Sequence, residues 1–254
     1  VRGAVLGLVS CCGALHASAA IVGPPFITDD PEPVEYKHYE FYIASQSFRE
    51  FGFSTGTLPH MEINYGAVPN LQLHLIAPMT YFTTSGQPFN YGLGDTELGA
   101  KYRFIQETKK RPMVGIFPLV EAPTGSAARG LGTGGTSLYL PVWLQKSFGN
   151  WMVYGGGGFW HNPGAGLRDY WYTGTTVQCQ VTKKLMLGGE IFHTTSQAEG
   201  FSEVTGFNLG GVYDFDDGHH LMASIGTGVQ GADHGTAYVA YQWTFGPHQK
   251  GETK

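Results

Sequence analysis

From Tyr36 onward the chain alternates apolar and polar residues in stretches of about ten, a period of two that predicts strands with chemically different faces. The last stretch is the clearest. Ala237, Val239, Tyr241, Trp243 and Phe245 share one face, and Tyr238, Ala240, Gln242 and Thr244 the other. An earlier one sets Thr96, Leu98, Ala100, Tyr102 and Phe104 against Asp95, Glu97, Gly99, Lys101 and Arg103. About twelve such segments are counted, with about ten to fourteen as the range. In a soluble sandwich the charged face meets water and the apolar face a core; in a membrane barrel the charged face meets the lumen and the apolar face lipid.

The breaks between segments discriminate. Short breaks at 66–70, 106–111, 147–150, 182–184 and 214–218 alternate with longer, Gly-, Ser- or Asn-rich breaks at 48–56, 80–92, 122–135, 161–170, 195–203 and 230–235. Outer-membrane barrels pair short periplasmic turns with longer external loops, whereas a sandwich has no reason to sort its connections. Aromatics fall in two bands, as interfacial girdles require. Tyr65, Tyr102, Phe104, Phe148, Trp151, Tyr213, Phe215, Trp243 and Phe245 lie beside short turns. Phe82, Tyr91, Phe159, Trp160, Tyr170 and Trp171 lie near long loops. The expected fold is all-β, a closed antiparallel up-and-down transmembrane β-barrel over residues 36–245, with both termini on the periplasmic side. Lipid offers no hydrogen-bond partners, so every strand edge must be paired.

The flanking regions read differently. Residues 1–20 carry Arg2, an apolar stretch from Ala4 to Ala17 and then Ala17-Ser18-Ala19, the order of a secretory signal. Leu8-Val9-Ser10-Cys11 leaves a lipoprotein signal as an alternative. Cleavage after residue 20 removes Cys11 and Cys12, leaves Cys179 as the single thiol and excludes an intrachain disulfide. Residues 21–35 contain Pro24, Pro25, Pro31 and Pro33, which forbid a helix, along with Asp29, Asp30 and Glu32. They are expected to form a periplasmic lead-in, with a lumen plug opposite Lys101 and Arg103 as the alternative. Residues 246–254 form a polar tail behind a final strand that resembles the C-terminal assembly signal of outer-membrane barrels, which implies the outer-membrane assembly machinery as a partner.

Composition narrows the classes. The 15 basic and 20 acidic residues are spread thinly with no basic patch, which argues against a nucleic-acid partner. With 14% of residues aromatic and only 14% charged, disorder is excluded.

Parity along the strands gives two lumen walls. Glu40, Glu62, His74, Asp95, Glu97, Lys101 and Arg103, with His38, Asn64 and Gln72, form a polar wall, either an internal salt-bridge network or a selectivity surface. Phe117, Tyr139, Trp143, Tyr154 and Trp160, with Leu119, form an aromatic wall, either packing filler or a path for hydrophobic solutes. Pro118 and Pro141 fall at one height in adjacent strands, where each lacks a ladder N–H. They mark a seam, read as a kink or as a lateral exit into lipid.

Catalytic and metal signatures are missing from the sequence: no CxxC, HExxH or GxSxG occurs, and the adjacent His219 and His220 face opposite ways in a strand. Neither a cofactor nor a catalytic residue is expected.

Several phrases resemble the outer-membrane transporter family named for the meta-pathway of phenol degradation. They are Gly23-Pro24-Pro25-Phe26-Ile27-Thr28-Asp29-Asp30-Pro31, Gly92-Leu93-Gly94-Asp95-Thr96-Glu97-Leu98-Gly99-Ala100-Lys101-Tyr102-Arg103-Phe104, Ala122-Pro123-Thr124-Gly125 and Gly130-Leu131-Gly132-Thr133-Gly134-Gly135. The resemblance implies movement of small, aromatic compounds across the outer membrane and brings no catalytic residues. The expectation is an outer-membrane channel or transporter for small hydrophobic or aromatic molecules. The alternatives are a structural or surface-interaction barrel without transport, and an outer-rim lipid hydrolase.

Overall fold

The computed structural model describes residues 24–50, 52–230 and 234–247. The expected signal over 1–20 and all but two residues of the tail 246–254 lie outside them. Twelve strands form one antiparallel sheet: β1 Tyr39–Glu50, β2 Phe53–Val68, β3 Leu71–Thr84, then β4 in two pieces, Asn90–Leu93 and Thr96–Ile105. Strand β5 also has two pieces, Met113–Ile116 and Leu119–Ala122. They are followed by β6 Ser137–Phe148, β7 Trp151–His161, β8 Tyr170–Thr182 and β9 Leu185–Thr194. The last three are β10 Val204–Asp216, β11 His219–Gln230 and β12 His234–Phe245. Both pieces of β4 pair with β3, and both pieces of β5 pair with β4 and with β6. Each strand pairs with its sequence neighbours, and β1 closes on β12 from Tyr39↔Phe245 to Glu50↔His234. The ring of strands is closed, as a lipid-embedded sheet requires; only the short piece Asn90–Leu93, at the long-loop end, is paired on one side alone among the described residues.

Alternation of side chains sorts the barrel wall. Leu98, Tyr102, Val239 and Trp243 are 45–49% exposed on the outside, while Glu97, on the same strand as Leu98, is 2% exposed within. Ile63, Leu75, Val142, Ile191, Leu209 and Ile225 continue the apolar exterior around the circumference. Among the described residues, no helix is long and apolar enough to cross a membrane.

Two expectations about the ends of strands are corrected. The break at 48–56 is not a long loop: β1 runs to Glu50 and β2 starts at Phe53, with Arg49 opposite Ser54. Arg49, Glu50, Gly52, Ser54 and Thr55 give this stretch a loop-like composition, although most of these residues belong to strand ends. Gly52, at φ +85°, makes the tight reversal. Among the expected girdle rings at the long-loop end, Tyr91 and Trp171 do face outward, but Trp160 and Tyr170 turn in and are nearly enclosed. They are cross-strand partners and therefore share a face.

Pairing across the two prolines is nearly continuous. Pro118 sits in the two-residue interruption between the pieces of β5, and Pro141 stays within continuous β6, buried. Pairing keeps one register across the gap, from Gly99↔Leu119 to Tyr102↔Ile116, and the Ala100 N–H still donates to the Pro118 carbonyl at 3.2 Å.

Candidate functional site

The lumen is divided by chemistry. On β2–β4, alternation turns Glu62, Asn64, His74, Glu97 and Lys101 inward, all buried. Asn64 Nδ2 donates to Glu62 Oε1 at 2.7 Å, His74 Nδ1 lies 2.6 Å from Asn64 Oδ1, and His74 Nε2 lies 2.9 Å from Glu97 Oε1. This chain of polar contacts runs across three strands at one height. Glu40, half-buried on β1, accepts from the Tyr42 hydroxyl at 2.8 Å. Each group sits where parity places it, and each finds a partner, as enclosed polar groups must.

Residues 24–35 run inside the barrel, not ahead of it, which corrects the expected periplasmic lead-in. Lys101 Nζ meets Asp29 Oδ1 at 2.9 Å and Asp30 Oδ1 at 3.7 Å, and Arg103 lies 3.5 Å from Glu32. The backbone N–H groups of Ile27 and Thr28 donate to the two carboxylate oxygens of Glu190 at 2.8 and 2.7 Å. Val34 N–H donates to Gln72, Thr28 Oγ1 contacts the Tyr172 hydroxyl, and Ser224 Oγ donates to the Pro25 carbonyl. A proline-rich segment has few N–H groups to satisfy. Its acids complement the Lys101 and Arg103 wall, so the lumen solvates it better than its own backbone would.

The adjoining wall is aromatic. Phe117, Tyr139, Trp143, Tyr154 and Trp160 are all at most 6% exposed and project inward from β5–β7 and the break in β5. Tyr139 and Trp160 stack at 4.5 Å with 7° between their planes. Trp160 continues to Tyr170, and Trp143 to Tyr172 and Phe192. The two walls meet where Lys101 Nζ lies 5.0 Å above the Phe117 ring and His74 abuts the same ring edge-on.

Between the walls and beside the segment lies a cavity of about 420 Å³. Glu40, Glu62, His74, Glu97, Lys101, Phe117, Tyr139, Trp143 and Tyr154 line it, with Asp29 and Asp30 from the segment. Three buried polar atoms on its lining have no hydrogen-bond partner among the described residues: Glu97 Oε2, the Tyr139 hydroxyl and Trp143 Nε1.

Four expected wall residues lie apart from this cavity, among them His38, whose Nδ1 lies 3.2 Å from the Tyr36 carbonyl. Asp95 is buried toward the long-loop end, where it accepts from Gly125 N, Thr133 N and Thr133 Oγ1 and so ties down the loop 123–136. Arg103 lies at the short-turn end, bonded to Asn70 Oδ1. Trp160 backs Tyr139 from outside the cavity.

Sequence reading overlooked Glu190, Asn208, Tyr172 and Phe192. Asn208 Nδ2 donates to Glu190, and Thr236 Oγ1 to Asn208, which braces the carboxylate that holds the segment. The available signal was the same parity: Glu190 and Phe192 alternate with outward Ile191. Ser224 and His220 make no pair: they stand four residues apart on β11, about 13 Å along the strand, and the Ser224 hydroxyl donates to the Pro25 carbonyl. Among the described residues, no three His, Cys, Asp or Glu side chains are placed to share a metal ion.

No protein-family model matches the sequence, and no curated protein matches it either. Solved structures do. The outer membrane channel of Pseudomonas putida F1 superposes with a TM-score of 0.70 at 18% identity, covering 89% of this chain and 100% of that one. The KdgM porin gives 0.56 at 11% identity over 80% of this chain and 99% of its own. The NanC porin gives 0.53 at 7% identity over 79% and 98%. At these identities the likeness is one of fold: the chain has the barrel architecture of outer-membrane proteins.

Proposed function

We propose that this chain is an outer-membrane channel for small aromatic molecules that carry a polar group, with residues 24–35 narrowing the bore. The observation that carries this reading is the two-sided cavity. A ring the size of phenol finds apolar faces in Phe117, Trp143 and Tyr154. Its hydroxyl finds an acceptor in Glu97 Oε2 and donors in Trp143 Nε1 and Tyr139, groups otherwise costly to leave unpaired. In this reading the short turns and the paired ends of β1 and β12 face the periplasm, and the outer-membrane assembly machinery inserts the barrel. The names of the superposing channel and porins support the class.

A second reading, a barrel sealed by its own segment and working through its loops, is favoured by the density of contacts that seat residues 27–34. Reconstitution of the exported chain in bilayers separates the two. Channel function predicts measurable conductance and phenol flux into liposomes, with conductance rising when residues 24–33 are deleted. Silence of the intact barrel in both assays supports the sealed reading.

A further inference from the structure

The basic residues are scattered in the sequence, but the barrel gathers them. Three consecutive turns at one end join β4 to β5, β6 to β7 and β8 to β9, and they or the adjoining strand ends carry Lys109, Lys110, Arg111, Lys146, Lys183 and Lys184. One carboxylate, Glu107, stands among these six cations, and Lys146 neutralises it at 2.6 Å. Glu107 also accepts from Ser147 N and Oγ, which ties the first turn to the end of β6 and fixes the platform. Lys184 is spent on the Phe215 carbonyl. Lys109, Lys110, Arg111 and Lys183 are exposed and meet no carboxylate among the described residues. The remaining turns differ: β2–β3 turns through Pro69 and Asn70, and β10–β11 carries Asp214, Asp216 and Asp217.

Directly above this arc the exterior is aromatic. Phe148 and Trp151 are cross-strand neighbours, 60% and 54% exposed, and Phe104 on β4 is 49% exposed. An open recess of about 580 Å³ lies between Phe148, Lys146, Ser147, Thr108 and Lys109, with the Lys146-paired Glu107 also on its lining. Unpaired cations beside outward rings at the edge of an apolar band match the boundary between hydrocarbon and headgroups.

We infer that this arc is a binding site for an anionic glycerophospholipid, with the phosphodiester held by Lys109, Lys110 and Arg111 and the acyl chains lying along Phe104, Phe148 and Trp151. Arg111 supplies the planar fork suited to phosphate oxygens. An acidic soluble protein would not need the three lipid-facing rings. The lipid is assigned to the inner leaflet, which rests on the orientation given under the proposed function.

Trp151 is a reporter within the site. In bilayers holding equal fractions of brominated phosphatidylglycerol or brominated phosphatidylcholine, quenching that is lost in Trp151→Phe measures the lipid beside the arc. Phosphatidylglycerol is expected to exceed its bulk share there by about fivefold. Replacing Lys109, Lys110, Arg111 and Lys183 by Gln brings the ratio to unity, while Lys109→Arg with Lys183→Arg retains it, on barrels whose heat-dependent gel shift shows them folded. Equal quenching by the two lipids in the native protein overturns the inference. Displacement of phosphatidylglycerol by lipopolysaccharide overturns it too, and places the short turns at the cell surface. A barrel without conductance that still enriches phosphatidylglycerol overturns the channel reading alone.

Discussion

A lysine ammonium enclosed away from water is costly unless carboxylates meet it, and Lys101 meets two from a segment more than seventy residues distant. Parity along β4 was enough to turn Lys101 inward, but its partners depend on where the chain before β1 goes, which no periodicity reports. Glu190 was missed for the same reason. Its role as acceptor for two backbone N–H groups exists only once Ile27 and Thr28 arrive. Lys101→Met strands the Asp29 carboxylate, and breaking such a pair costs about 3–5 kcal/mol. Protease cleavage between residues 24 and 35 should therefore accelerate in the variant, and adding Asp29→Asn should restore most of the protection. A Lys101→Met barrel as resistant as the native one removes the pair from its role as anchor.

At the level of the strand, the alternation was legible wherever one face meets lipid. It was misleading where strand ends have a loop-like composition, as at 48–56, and it was silent on local defects. The glycine run of β7 shows why. Gly156 adopts φ +154°, and a Cβ there would lie 2.0 Å from the Val142 carbonyl and 3.0 Å from the Trp143 ring. Glycine at this position lets β6 and β7 close while Trp143 keeps its place in the aromatic wall. Gly156→Val should lower the urea midpoint of the folded barrel, with about 1–3 kcal/mol lost to backbone strain alone. Gly235→Ala should not, because nothing but Arg49 lies within 4 Å of its would-be Cβ. Equal midpoints for Gly156→Val and the native barrel would contradict the packing described for this pair of strands.

For the molecule as a whole, the closed barrel was readable because a lipid exterior and a polar interior impose one rule on every strand. Trp160 and Tyr170 exposed the limit of the girdle argument, since nearness to a loop does not say which face a ring occupies. Leu98 lies between Leu75 and Val120 on the outer surface. Arginine on the lipid face near mid-membrane costs about 2–4 kcal/mol, so Leu98→Arg should shift refolding into lipid vesicles toward the unfolded chain by that amount. A native unfolding midpoint for Leu98→Arg would deny that lipid contacts this face.

The unequal walls of the lumen carry a stereochemical consequence. A chiral tube discriminates enantiomers only where a permeant touches several chemically distinct places at once, and here polar groups, stacked rings and the segment 24–35 meet around one cavity. Enantiomers of an amphipathic permeant would meet different surroundings within it, so flux of a racemate should emerge optically enriched.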